Sequence, residues 1–230
     1  MKRLILILLL SSVMIAVLPQ QKMTVVSKGS DATLEGSLPP EMIFAFDGFR
    51  DATIIMNDGS ENKTRVNLHL YTGEVFFLTS SNQILVLAYP LDVSHIVIGS
   101  SIWKQIRGAF WEIRTDNGDV QLVASKRTRL TNTRKETGFG GMTATSSVGR
   151  LTSMVTQGKQ IATFLPAGEY DFETTTEYML VKGKKAVIAN AGSFKKFFPS
   201  KKKELSNIFK SQKIDFRNES DLVGLMKVCS

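Results

Sequence analysis

From residue 42 to residue 190 the apolar and polar positions fall into short runs, each closed by turn-forming residues. Met42 to Phe46 is closed by Asp47-Gly48, and Ala52 to Met56 by Asn57-Asp58-Gly59. Thr64 to Tyr71 alternates, with Val66, Leu68 and Leu70 on one face and Asn67, His69 and Tyr71 on the other. Thr72-Gly73 leads into Glu74 to Thr79, and Ser80-Ser81-Asn82 into Gln83 to Ala88. Val93 to Ile98 follows, and Asp116-Asn117-Gly118 joins Phe110 to Arg114 with Val120 to Ser125. Later runs are Gln160 to Leu165, Tyr170 to Thr175, Tyr178 to Val181 and, after Lys182-Gly183-Lys184, Ala186 to Ala189. A period of two puts successive side chains on opposite faces of a strand. Short strands at this spacing predict a mainly β chain, an antiparallel meander forming a sandwich, roll or barrel. No sequence repeat accompanies the hairpins, so no propeller is expected.

Residues 126–158 interrupt this pattern. Lys126, Arg127, Arg129, Arg134 and Lys135 cluster there, followed by Gly138-Phe139-Gly140-Gly141 and a Thr/Ser-rich stretch to Ser153. That is long for a structureless connection in a compact domain. Two readings stand: a basic, glycine-rich binding loop, or a flexible crossover.

After Asn190 the period changes to about 3.6. Phe194, Phe197 and Phe198 are followed by Pro199; Ser200 is placed to cap a helix bearing Leu205, Ile208 and Phe209. Asn218 is placed to cap a last helix, with Asp221 three positions on and Leu222, Leu225, Met226 and Cys229 along one stripe. This predicts a short α-helical C-terminal tail over 191–230, with Cys229 in its apolar stripe.

At the other end, Lys2 and Arg3 precede an aliphatic run from Leu4 to Leu18, broken only by Ser11 and Ser12 and ended by Pro19-Gln20-Gln21. A basic start, an apolar core and a polar exit predict a signal peptide over 1–21. The run is shorter than the roughly 20 residues of a membrane-spanning helix. A lipid-anchored leader needs a cysteine just behind the apolar core, and the single cysteine is Cys229. Residues 22–41, with Pro39-Pro40, read as a lead-in segment before a β body over 42–190. No second apolar run approaches spanning length, so the expected location is exported, periplasmic or extracellular, with the chain not integral to the membrane once the leader is cleaved.

Composition sharpens two points. The 230 residues carry a formal charge of +8, and residues 182–230 hold 12 Lys+Arg against four Asp+Glu. The positive excess therefore sits in the tail, including three lysines in one helical turn, where they oppose the helix dipole. One cysteine excludes an internal disulfide framework.

The tail motifs Ser193-Phe194-Lys195-Lys196-Phe197-Phe198-Pro199, Lys201-Lys202-Lys203-Glu204 and Lys213-Ile214-Asp215-Phe216 carry a resemblance. With Asp221-Leu222, Gly138-Phe139-Gly140, Tyr178-Met179-Leu180 and the stretch from Asn67 to Glu74, they resemble uncharacterised small exported proteins of Gram-negative bacteria. The resemblance implies an exported protein with a β-rich body and a Lys-rich helical tail, and no catalytic residues.

Catalytic signatures are scarce. His69 and His95 are 26 positions apart, without paired ligand spacing, and read as strand residues. No G-x-S-x-G elbow, phosphate-binding loop or dinucleotide fingerprint occurs. Glu169, Asp171 and Glu173 alternate as on a strand, a weak signal for glycoside chemistry. The phenylalanines of the tail follow a helical stripe rather than a stacking platform, which disfavours nucleic acid as a partner. The expectation is a non-enzymatic binding or assembly module without cofactor, metal or catalytic residues. Its partner is unknown, an anionic envelope component or another exported protein. The candidate anionic-surface contacts are Lys195, Lys196, Lys201, Lys202 and Lys203. The alternatives are an exported hydrolase with a site assembled from distant residues, and a barrel-type carrier of a small apolar ligand.

Overall fold

The structure, a computed structural model, describes residues 20–29, 32–136, 142–145, 151, 153–155 and 161–230. Strand β1 (Gln21–Ser27) precedes two single-turn helices, α1 (Leu34–Ser37) and α2 (Pro40–Ile43). Then come β2 (Arg50–Met56), β3 (Glu61–Leu68), β4 (Val75–Leu78), β5 (Ile84–Val86), β6 (Val93–Ile98), β7 (Ser101–Ile106) and β8 (Ala109–Asp116). The long β9 (Gln121–Glu136) is followed by β10 (Met142–Thr145), β11 (Ser153–Val155) and β12 (Ile161–Thr163). The equally long β13 (Gly168–Lys182) and β14 (Lys185–Ile188) lead to helices α3 (Ala191–Phe197), α4 (Lys202–Ser211) and α5 (Glu219–Cys229).

One antiparallel sheet dominates, in the order β1-β13-β9-β8-β7-β6-β2-β3-β4-β5, with β10 added to β9 and β14 to β13. Strands β1 and β5 are its two ends, so the sheet does not close and encloses no barrel lumen. It curls instead. At Leu70, just past β3, the carbonyl accepts from the Thr128 backbone N–H of β9 (3.1 Å), and the Leu70 N–H donates to Ile43 (2.7 Å).

The centre is the β9–β13 pair, in register from Gln121 opposite Val181 to Arg134 opposite Glu169, with a bulge beside Asp171. On one face Leu122, Ala124 and Leu130 stand opposite Leu180, Tyr178 and Phe172, all buried. Helices α3–α5 cover one end of that face, and α1, α2 and Leu165 cover the other.

Several expectations change here. Residues 22–41 are no lead-in: β1 pairs with β13 along its whole length, and Leu34 and Leu38 are core residues. Residues 42–46 turn as α2 and a bridge at Phe44 instead of a strand, because Pro39-Pro40 start a helical turn. Residues 126–136, read as part of a loop, extend β9, with Arg129 and Arg134 paired across to acidic residues of β13. Gly138 to Gly141 and residues 1–19 of the expected leader lie outside the described residues. Strand β7 lacks alternation in sequence because Ile102 beside buried Trp103 faces solvent. Ser200 does not cap α4; it sits in a 3₁₀ turn (Pro199–Lys201), and Lys201 occupies the cap position without a side-chain bond. Asn218 does cap α5, accepting from Ser220 N–H at 2.8 Å.

The tail is a structural layer, not an appendage. Phe194, Phe197, Phe198, Leu205, Leu222, Leu225 and Met226 pack with Leu122, Ala124, Tyr178 and Leu180. A polar bracket fixes its angle: Arg114 joins Glu112 (3.0 Å) to Glu219 (3.2 Å), and the Tyr178 hydroxyl donates to Glu219 at 3.4 Å. Burial, with Glu219 beside it, pushes the Tyr178 hydroxyl up to about 12, so it stays a donor. Among the described residues no helix is long and apolar enough to cross a membrane.

Phe194 is 0% exposed. Phe194→Ala is therefore expected to cost the whole fold about 3–5 kcal/mol. Urea unfolding read from the sheet tryptophans Trp103 and Trp111 checks this; an unchanged midpoint would mean that the tail is energetically separate.

Candidate functional site

Asn67 and His69, placed by alternation on one face of a strand, are buried at 3% and 1% exposure. The chain from Phe44 to Gly48 lies over them. Asn67 donates to the Phe46 carbonyl (2.9 Å) and accepts from the Phe46 N–H (3.2 Å). His69 sits one residue past β3, bridged to Phe44. Its Nδ1 accepts from the Thr72 N–H (3.2 Å), which puts the neutral ring's proton on Nε2. Nε2 lies 3.5 Å from Glu35 Oε1, within ion-pair reach but longer than a good hydrogen bond. Glu35 Oε2 accepts from the Thr163 N–H of β12 at 2.9 Å. Burial alone pushes the Glu35 carboxyl up; the His69 contact and the Thr163 bonds outweigh it, and the carboxyl sits below its ordinary 4.5. His69 Nδ1 is engaged by Thr72, while its Nε2 and Glu35 Oε1 face each other, buried and without a hydrogen-bond partner, so the dyad sets α1 and β12 against the β3–β4 turn.

Next to the dyad, β9 changes neighbours. Ala124 is its last position paired to Glu112 of β8, and Thr128 is bonded to Leu70. In the gap between lies a recess with about 20 Å³ of space for water, enough for one. His69, Gly73, Trp103, Ser125, Lys126 and Arg127 are among the residues lining it. The Arg127 Nε donates to Ser125 Oγ at 3.0 Å. Its guanidinium lies against Gly73, whose φ of +78° suits glycine and where a Cβ would stand 2.5 Å from Arg127 Nη1. Burial lowers the guanidinium below its usual range, with Glu177 opposing and Arg129 adding to the shift. Lys126 Nζ donates to the Glu41 carbonyl at 3.0 Å.

Across the β9–β13 ladder the charges neutralise one another. Arg129 bonds Glu177 (2.7 and 2.8 Å), and Arg134 bonds both Glu169 and Asp171. Glu173 is 3.8 Å from Lys22. The alternating carboxylates are thus held by bases rather than free as an acid–base pair.

The five tail lysines are not one free cluster. Lys195 stands over the Phe209 ring at 5.8 Å, and Lys201 pairs with Glu204 at 3.4 Å. Lys196, Lys202 and Lys203 are exposed, without an acidic partner among the described residues. The β13–β14 turn brings a further cation alongside, Lys185 over Phe197 at 5.9 Å. Cys229 is buried in the stripe where it was expected, its thiol pushed up to about 11 by burial, with Lys201 opposing and Glu204 adding. His95 is half-buried on β6, its Nδ1 3.2 Å from the Ser94 hydroxyl. No group of three His, Cys, Asp or Glu side chains among the described residues is placed to hold a metal ion.

Comparison with protein-family models, with curated proteins and with solved structures gives no match. Sequence reading missed Glu35, placed in the expected lead-in, and Trp103, in the unpredicted β7. It singled out Arg127 and Lys126 within a basic cluster, but their joining to residues 68–73 needs the curl of the sheet.

Two outcomes follow from this geometry. Glu35 has a depressed folded value, so its contribution is present above 4.5 and lost as pH falls through the folded value. Glu35→Gln is expected to be less stable than the wild type at pH 7, with the gap narrowing as the pH drops below 4.5, measured by denaturant unfolding across pH. Gly73→Ala is expected to cost about 1–3 kcal/mol through its backbone conformation; denaturant unfolding checks this, and a variant as stable as the wild type would show that neither the positive φ nor the Arg127 contact constrains this position.

Proposed function

We propose that the protein is an exported, non-enzymatic binding or assembly module that contacts an anionic envelope surface through its helical tail. The observation that carries this is the placement of charge. The positive excess falls in residues 182–230, and Lys196, Lys202 and Lys203 stand exposed on helices whose opposite faces are buried in the core. Exposed lysines on a rigid mount offer a fixed array to a surface of anionic headgroups, and salt screens such an array within about 8–10 Å. The basic, apolar, polar order of residues 1–21 supports export.

A lysine near an anionic bilayer contributes about 1 kcal/mol, so three contribute about a hundredfold in binding. Cosedimentation with vesicles containing phosphatidylglycerol should show that loss for K196Q/K202Q/K203Q at low salt, and little wild-type binding at high salt. Binding that is equal in both proteins and insensitive to salt would overturn the reading.

A further inference from the structure

The large sheet has two open ends, and they differ. Strand β5 is three residues long, whereas β1 is seven and keeps in step with β13 from Gln21 to Ser27 without a bulge. Natural edge strands are blunted by shortness, proline, bulges or charge. The only such device in β1 is one charge, Lys22. No strand among the described residues pairs with its outer side. Its side chains are also left uncovered. Val26 is 73% exposed. Met23 shares the core face with buried Val25 and stands opposite buried Phe172, yet it is 36% exposed, because the sheet stops there.

We propose that β1 is a dimerisation edge whose occupant is β1 of a second copy, antiparallel about a two-fold axis at Thr24. Strand addition gives the free N–H and C=O groups of an edge their partners, and a two-fold lets one surface serve both copies. An axis at Thr24 pairs the whole strand: Gln21 meets Ser27, Lys22 meets Val26, Met23 meets Val25, and Thr24 meets its own copy. Two rows of side chains then continue across the boundary. On the core face, Leu130, Phe172 and Met23 run on into the partner's Val25 and the partner's Tyr170, so Met23 gains an apolar neighbour. On the other face, Arg134, Glu169 and Val26 run on into the partner's Lys22 and the partner's Glu173. The lysine stem covers Val26 with its charge toward Glu169, and no like charges stand directly opposite. Other axes fit worse. An axis at Val25 sets Lys22 against the partner's Lys28, and one at Met23 leaves Val26 beyond the end of the partner's strand. The edge is separate from the tail lysines, and its pairing stands whether or not the tail meets a surface.

The test is sedimentation velocity of the purified protein over a concentration series, with a reversible monomer–dimer equilibrium expected. Val26→Lys puts a lysine opposite the partner's Lys22 twice in each interface, so dimerisation should weaken about fivefold or more. Glu169 beside that position accommodates the new charge within one copy, so the unfolding midpoint should stay at the wild-type value. Val26→Thr, a good strand former without charge, should dimerise like the wild type. The register is read by cross-linking in a Cys229→Ser background. Cα atoms directly opposite on antiparallel strands are about 4.5–5.5 Å apart, within disulfide reach. Thr24→Cys should therefore form a covalent dimer under mild oxidation faster than Lys203→Cys, an exposed control on the tail. A wild type that stays monomeric at every concentration would overturn the proposal. So would a Val26→Lys dimer as strong as the wild type's, equal weakening by Val26→Thr and Val26→Lys, or Thr24→Cys cross-linking no faster than the control.

Discussion

A sheet of this width has one broad apolar face to bury and a single chain to cover it. The pairing of β9 with β13 meets that constraint. Its two strands run far beyond the length of their neighbours, and their shared face carries Leu122, Ala124, Leu130, Phe172, Tyr178 and Leu180. Both helical layers dock on this pair. The tail helices take one end, the N-terminal helical turns take the other, and the shorter hairpins curl between them. Removing the apolar alternation from either long strand would take the floor from the cluster under the tail helices and from the cluster under α1 and α2.

The same two strands explain why so much charge is compatible with a compact fold. Basic β9 lies directly against acidic β13, and opposite charges across a ladder stabilise modestly where like charges would repel. Arg129 and Arg134 are spent in this way. Arg127 is not, because it sits where β9 has left β8 and meets the 69–73 turn. The position that breaks the pairing rule coincides with the gap in the sheet.

The β character, most of the hairpin turns and the helical tail were legible because each has a local signal. Asn57-Asp58-Gly59 and Asp116-Asn117-Gly118 end strands by their own backbone preferences, and the tail phenylalanines repeat at helical spacing. What stayed hidden depends on distant partners. Gln21 to Ser27 carries only one strongly buried aliphatic residue, Val25, and is a strand because β13 offers it a ladder. The burial of His69 was hidden because alternation says which side a residue takes, not what lies over that side. The choice among sandwich, roll and barrel was equally out of reach, since closure is set by how far the sheet curls. The lysines were visible as charge, but their pairing with Phe209 and Glu204 follows from helix rotation.

Strand β1 bears on how the chain can fold. Thr24 hydrogen-bonds Asp171 across 147 positions of sequence, so the ladder partner of the first strand, residues 168–174, comes from far along the chain. Contacts this remote carry a loop-closure cost before they return anything, and they slow folding. The edge of the sheet formed by β1 is therefore complete only when β13 is available to pair with it.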